Sequence, residues 1–215
     1  MSDKNLQQPT PDNPLDKKNS EQPVHEESWW VEALKTIGLS LFLAFGIRTF
    51  VAEARYIPSG SMEPTLQIND RLIVDKVSYH FHNPERGDIV VFDPTPTLQQ
   101  QGFHDAFIKR IIGLPGDKIE IKSGKVYINN QPQKEPYVAN GAQTSLDTCG
   151  AGVQAFLAVP MTVPANDYLV LGDNRNNSYD GRCWGFVPRN DIVGRAVFRF
   201  WPFNRAGIIS EGEQQ

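Results

Sequence analysis

Hydrophobic and polar positions change period once along this chain. Positions 36–52 form an apolar run of 17 residues carrying one charge, Arg48. As a helix this run would span roughly 26 Å at about 1.5 Å per residue, close to a hydrocarbon core of about 30 Å. Arg48 lies near one end, where its stem can snorkel to the headgroups. Trp29 and Trp30 sit where interfacial aromatic anchors are placed. Beyond this run the pattern alternates and turns β-branched. Strands are predicted at 71–77, 88–92, 118–122, 125–129, 168–171 and 195–200. Ser123-Gly124 joins two of them as a two-residue hairpin. Residues 140–164 are less regular and read as an insertion or peripheral loop. The fold class is therefore mainly β: a domain of coiled antiparallel sheet over 55–205, preceded by one N-terminal transmembrane helix at 36–54 and followed by a tail at 206–215.

Two other readings of the apolar run stand beside the anchor. The uncharged stretch from 37 to 47 is only 11 residues, a length that suits a buried core helix. Ala52-Glu53-Ala54 has the A-x-A form that ends a cleavable signal. A signal opens on a short basic segment, however, and residues 1–35 carry four Lys against seven Asp or Glu. That favours a retained anchor. Residues 1–35 also hold Pro9, Pro11, Pro14 and Pro23 and few apolar side chains, so they read as a disordered tail. Lys17, Lys18 and Lys35 before the span, against Arg55 and Arg71 after it, give a weak bias toward an N-terminus inside the cell.

Composition narrows the partners. With 21 basic and 25 acidic residues, a net charge of −4 and no basic stripe, nucleic acid is not an expected partner. Cys149 and Cys183 are too few for a disulfide scaffold and lack zinc-site spacing. They form one bridge if the domain lies in an oxidising compartment; two separate thiols are the equal alternative.

Three runs carry candidate chemistry. The first is Ile57-Pro58-Ser59-Gly60-Ser61-Met62-Glu63-Pro64-Thr65-Leu66. Gly60 frees the backbone and two prolines stiffen the approach and exit, which holds Ser61 in irregular structure, as an attacking oxygen requires. A polar turn after an anchor is the plain alternative. The second is Phe107-Ile108-Lys109-Arg110-Ile111-Ile112-Gly113-Leu114-Pro115-Gly116-Asp117. In a strand, Lys109 and Arg110 point to opposite faces, so one enters an apolar interior while the other reaches water. Burial disfavours a lysine's charged form and could fit it to act as a base; two solvated charges on an edge strand are the alternative. The third runs from Gly172 through Asp173, Asn174, Ser178, Asp180, Gly181 and Arg182 to Gly185. Asp180 and Arg182, two apart, could pair across a pleat, and Ser178 could bond the lysine amine. Histidine is a poor source of a base. His25 lies in the tail, and His80, His82 and His104 sit in polar, loop-like stretches. The adjacent pair His104-Asp105 is the weak candidate for a triad.

Together, and in this order after an anchor, the three runs and the strand Arg86-Gly87-Asp88-Ile89-Val90-Val91-Phe92 resemble bacterial type I signal peptidases over about residues 30–205. The resemblance implies a membrane-bound serine endopeptidase with a Ser/Lys dyad, removing signal peptides of exported preproteins after an A-x-A site. It implies Ser61 as nucleophile and Lys109 as general base. Ser178 would orient Lys109, with Asp180 and Arg182 as its support. The Ser59 hydroxyl and the Ser61 backbone N–H would form the oxyanion hole. Ile57, Pro58, Met62, Leu66, Phe107 and Ile108 flank the two catalytic residues and could form shallow pockets for alanine-sized side chains. No metal or organic cofactor is required. The resemblance places the protein in the bacterial cell membrane as a single-pass chain, N-terminus cytoplasmic and catalytic domain on the outer face; a thylakoid-type internal membrane is the other setting. The chain departs from the family at Gly181, where a second serine is common.

Three rivals remain. A non-enzymatic, membrane-tethered β-domain explains the anchor but not Ser61 together with Lys109. A self-cleaving repressor of the related Ser/Lys fold would need a DNA-binding segment. A penicillin-binding enzyme would carry Lys where Ser61-Met62-Glu63-Pro64 ends in proline.

Overall fold

The computed structural model describes residues 28–139, 141–150 and 154–209; most of the expected N-terminal tail and the end of the C-terminal one lie outside the described residues. The apolar run forms helix α1, Trp29–Gly46, and none of its residues is buried. That is the opposite of a core helix. The helix begins seven residues before the expected start, because Ser28 O accepts the Val31 amide at 2.7 Å and opens the first turn. Trp29 and Trp30 therefore lie in the helix itself, their rings stacked at 3.9 Å. A π-helical turn, Ile47–Val51, follows. Ala52-Glu53-Ala54, expected to end the span, instead belongs to strand β1, Ala52–Tyr56.

The remaining elements are β2 (Arg71–Asp75), α2 (Ser78–Phe81), β3 (Ile89–Phe92), α3 (Pro96–Gln100) and β4 (Phe107–Gly113). Then come β5 (Lys118–Lys122), β6 (Lys125–Ile128), β7 (Gln131–Pro132), β8 (Met161–Thr162) and β9 (Asp167–Leu171). The chain continues through α4 (Gly181–Trp184), β10 (Val187–Pro188), β11 (Ile192–Trp201) and β12 (Gly207–Ile208). One sheet runs β1-β2-β11-β3-β4-β9-β10, with β12 also on β11; a second runs β7-β6-β5-β8. Every described pairing is antiparallel. The β5–β6 hairpin turns on Ser123 and Gly124, whose positive φ of 49° and 73° match the turn that suits twisted strands.

Burial explains where β4 stands. It pairs β3 on one side and β9 on the other. Alternate residues of β9 enter different cores: Tyr168 and Val170 pack with Phe92, Ile111 and Trp184, while Leu169 and Leu171 pack with Ile112, Ile119 and Val126. Ile111 and Ile112 divide in the same way. Both faces of β4 are covered, as in strands that read as continuous apolar runs. A third cluster gathers Ile57, Met62, Leu66, Leu72, Ile89 and Ala196. Residues Cys149 and Cys183 are joined as a disulfide, which settles the two-way reading of the cysteines and ties the irregular segment to α4.

Candidate active site

The serine run folds as a short hooked turn rather than a strand. Ile57 exchanges backbone hydrogen bonds with Asp70 and Asn69, each 2.9 Å. Gly60–Met62 then form one turn of 3₁₀ helix, and the Leu66 amide donates to Met62 O at 2.9 Å. Met62 and Leu66 expose none of their surface and peg the turn to the third core cluster. The third run clamps it from the other side. The Asn174 amide donates to Ser61 O at 3.1 Å, and Asn174 Nδ2 donates to Gly60 O at 3.0 Å. Ser61 is thereby fixed at 8 % exposure.

Lys109 reaches this turn from β4. Its Nζ lies 2.8 Å from Ser61 Oγ and donates to Ile108 O at 3.0 Å. It is 4 % exposed. Burial pushes the amine down from 10.5 to about 8, although the Asp180 and Asp173 carboxylates pull it the other way. A lysine with that value releases its proton near neutral pH and can take one from the hydroxyl beside it.

Arg110 does not reach water as expected from the pleat. With both faces of β4 covered, it is wholly buried. Unable to deprotonate, it binds Asp173 through Nε at 2.8 Å and Nη2 at 2.7 Å. It also donates to Gly87 O at 2.7 Å and lies 4.1 Å from the Tyr137 ring centre. Asp173 accepts a further bond from Thr65 Oγ1 at 2.6 Å. The three runs are thus tied together through Thr65, Arg110 and Asp173.

Asp180 and Arg182 pair, but at a helix start rather than across a pleat. Asp180 caps α4, accepting the Arg182 amide at 3.2 Å. Its two oxygens accept Arg182 Nε at 2.8 Å and Nη2 at 2.9 Å, and Oδ2 also accepts the Gly172 amide at 2.9 Å. Arg182 reaches out to Ser178 O at 3.1 Å and Ser145 O at 2.7 Å. A third buried arginine, Arg175, holds Gly172 O at 3.1 Å, Thr144 Oγ1 at 2.6 Å and the Glu135 carboxylate at 3.0 and 2.6 Å.

Ser178 does not bond the lysine in this arrangement. Its hydroxyl is buried without a partner among the described residues, and the lysine amine donates to the Ile108 carbonyl instead. Gly172 has no room for a side chain: a Cβ there would lie 2.2 Å from Ser178 Oγ and 2.5 Å from Ser61 O. Gly181 is equally tight, since a Cβ would meet Leu169 Cδ1 at 2.7 Å and Val170 O at 2.8 Å. The serine common at that position in the family could not be accommodated without movement.

Ser59 is exposed, with an extended backbone, immediately before the 3₁₀ turn. The Ser61 amide lies in the first turn, where backbone N–H groups have no intrahelical acceptor. Both donors expected of an oxyanion hole thus lie at the Ser61 turn. The six pocket residues divide by exposure. Ile57, Met62 and Leu66 are buried backing of the turn, because they are spent on the third cluster. Pro58, Phe107 and Ile108 keep accessible surface. Unlike Lys109, the histidines are not buried: His80, His82 and His104 are all exposed, and His25 lies outside the described residues.

Thr65, Gly172, Asp173, Asn174 and the Ile108 carbonyl are contributors that reading the residues one by one did not assign. All but Ile108 lie inside the quoted serine or loop run, and only the fold shows which contacts they make.

The chain is similar to known proteins along most of its length. Residues 30–201 match the family model described as signal peptidase, peptidase S26. Signal peptidase I of Leptolyngbya laminosa is 54 % identical over 203 residues, covering 94 % of each chain. Probable signal peptidase I-2 of Synechocystis sp. is 53 % identical over 92 % of this chain and 84 % of its own. Probable thylakoidal processing peptidase 2 of Arabidopsis thaliana, chloroplastic, is 41 % identical over 78 % of this chain and 43 % of its own. By the extent of the family match and the identity to full-length relatives, the chain belongs to the signal peptidase family, peptidase S26.

Proposed function

We propose that Ser61 and Lys109 carry out signal-peptide cleavage in this serine endopeptidase. The observation that carries the assignment is the 2.8 Å approach of a buried Lys109 Nζ to Ser61 Oγ. The neutral amine takes the Ser61 proton as Oγ attacks the carbonyl carbon. The Ser59 hydroxyl and the Ser61 amide receive the developing oxyanion; one such donor is worth roughly 3–4 kcal/mol in comparable sites. The C–N bond breaks, the lysine proton passes to the leaving amine, and an ester remains on Ser61. Water activated by Lys109 then hydrolyses the ester. Asp180, Arg182 and Asp173 act through position, holding the loop against Ser61 and Lys109. Pro58, Phe107 and Ile108 offer the accessible apolar surface for small side chains before the cut, over the backing of Ile57, Met62 and Leu66.

The substrates are preproteins whose signal peptides end in an A-x-A site. α1 is the anchor: the stretch Trp29–Thr49 is 21 residues, long and apolar enough to cross a membrane. Membrane lipid is then its surroundings, with the N-terminus cytoplasmic and the β-domain on the far face. The Cys149–Cys183 bridge supports an oxidising compartment for that domain. A cell membrane or a thylakoid-type membrane both satisfy these features. A net charge of −4 argues against a nucleic-acid partner.

The test is cleavage of an A-x-A precursor by the full chain in detergent. Processing at the predicted bond by the wild type, and none by folded Ser61→Ala or Lys109→Ala, supports the assignment. Cleavage by a folded Lys109→Ala protein overturns it.

A further inference from the structure

Lys76, His80 and Arg189 line one cavity of about 520 Å³. They come from three places: the end of β2, α2, and the turn between β10 and β11. Tyr79 and Ile192, both buried, form its apolar part. No residue assigned to the dyad, its supports or its pockets lines it. A volume of that size lies within the range of small-molecule sites, roughly 300–1,000 Å³.

The positive charge of this cavity is only partly matched by the protein. Lys76 Nζ donates to Thr49 O at 2.9 Å. The Glu53 carboxylate, 3.8 Å from Lys76, is shared with Arg55, which it holds more closely at 2.9 Å. Arg189 donates through Nη2 to Tyr79 O and lies 5.3 Å from the Tyr79 ring centre; neither of these partners carries a charge. The Asp88 carboxylate is taken by the Tyr79 hydroxyl at 2.7 Å and by Arg195 at 3.0 Å. No carboxylate is among the described residues that line the cavity, and the Asn190 side chain adds an amide.

Depth says which anion suits it. Thr49 also lines the cavity and is the last residue of the apolar stretch Trp29–Thr49. With that stretch as the anchor, the reading on which this inference rests, the cavity stands where the chain leaves the hydrocarbon, at the level of lipid headgroups. Lysine meets phosphate as a point charge, and arginine can grip two of its oxygens. We propose that this cavity binds the phosphate of an anionic lipid headgroup, with Lys76 and Arg189 on its oxygens and Tyr79 and Ile192 against the glycerol carbons. The chain as a whole carries a net charge of −4, so general attraction to an anionic surface is a poor substitute for such a site.

The experiment uses the full chain reconstituted in vesicles of mixed phosphatidylcholine and phosphatidylglycerol, then extracted into neutral detergent. Lipid retained per chain is counted by native mass spectrometry. The wild type should retain phosphatidylglycerol over phosphatidylcholine roughly tenfold beyond their ratio in the vesicle, since a charged hydrogen bond is worth about that factor. Lys76→Gln and Arg189→Gln should each bring the preference toward one. Lys76→Arg should keep most of it, and Lys125→Gln, at an exposed lysine of β6, all of it. Melting temperatures show which variants are folded, and the Lys76 pair decides if Arg189→Gln is not. A wild type that enters the vesicles without preference overturns the cavity's role and leaves the anchor standing, as does a preference unchanged in folded Lys76→Gln. A wild type that floats with no vesicle overturns the anchor reading and the site with it. Inorganic phosphate is the third probe. If it raises the melting temperature of the detergent-held chain as much as phosphatidylglycerol does at equal concentration, the lipid source is overturned in favour of free phosphate.

Discussion

Arg110 and Asp173 form a doubly hydrogen-bonded ion pair with both side chains out of solvent, at 2.8 and 2.7 Å. Asp173 also holds Thr65 at 2.6 Å, so one carboxylate links the lysine strand to the serine turn. Removing one member leaves the other charged and buried. Asp173→Ala should therefore lose about 3–5 kcal/mol of stability, whereas Thr65→Val should lose about 1 kcal/mol. Chemical denaturation of the three proteins measures both. An Asp173→Ala protein as stable as the wild type would show that the pair is not the strut its geometry suggests.

The dyad and the fold make opposite demands on Lys109. Its amine sits at about 8 rather than 10.5 because burial disfavours its charge. The unfolded chain keeps the proton through that interval, so the lysine costs the folded state stability below about pH 8. The cost fades as pH rises toward 10.5. Lys109→Met should thus abolish cleavage, by roughly 10³-fold or more, yet melt at or above the wild-type temperature at pH 7. Thermal melts at pH 7 and pH 10 check the sign; a marked loss of stability at pH 7 would contradict it. His104→Ala should keep full cleavage.

The same lysine sets the pH profile. Only its neutral form accepts the Ser61 proton, so kcat/KM should climb with pH and level off above about 8. Two units lower, roughly one lysine in a hundred is neutral, and activity should fall accordingly. A profile governed by one group near 6.5 would point to histidine instead.

Cys149 and Cys183 are 34 residues apart in sequence. A loop of that length contributes about 3–4 kcal/mol in the chain-entropy account. The double Cys→Ala chain should melt measurably lower than the oxidised wild type. Equal melting temperatures would mean that the bridge adds nothing to the folded β-domain.

Ala52-Glu53-Ala54 has the form of a cleavage site, but its backbone is engaged. Ala52, Glu53 and Ala54 pair with Asp75, Val74 and Ile73 of β2. A protease acts on a free extended chain, and this one is already part of a sheet. N-terminal sequencing of membrane-extracted protein should find this segment retained. A mature chain starting at Arg55 would show that the strand opens.

Much of this was legible in the sequence. The alternating segments marked the strands, and Ser123-Gly124 located the hairpin, because turn chemistry is local. Ser61 and Lys109 stood out because each is a reactive group set in an unusual local run. The start of α1 was misplaced because the helix's backbone hydrogen bonds begin at the Ser28 carbonyl, before the apolar run that hydropathy marks. Arg110 was misjudged because the alternation rule assumes a strand with one wet face, and only the two core clusters packed on opposite sides of β4 reveal that it has none. Asp173 and Asn174 make long-range contacts, to Thr65 and to the Gly60–Ser61 turn, that no local pattern encodes.

The two-sided burial of β4 gives adjacent basic residues separate fates. Lys109 can answer the loss of water by giving up its proton, and becomes a reversible store for one. Arg110 cannot, and is a permanent cation that must be matched by Asp173. Exchanging the two would leave composition, net charge and hydropathy untouched, so bulk measures of the chain would not register it. It would still place an unmatched cation beside Ser61 and a flexible amine opposite Asp173. The order Lys-Arg, rather than the presence of both, is the information that this strand carries.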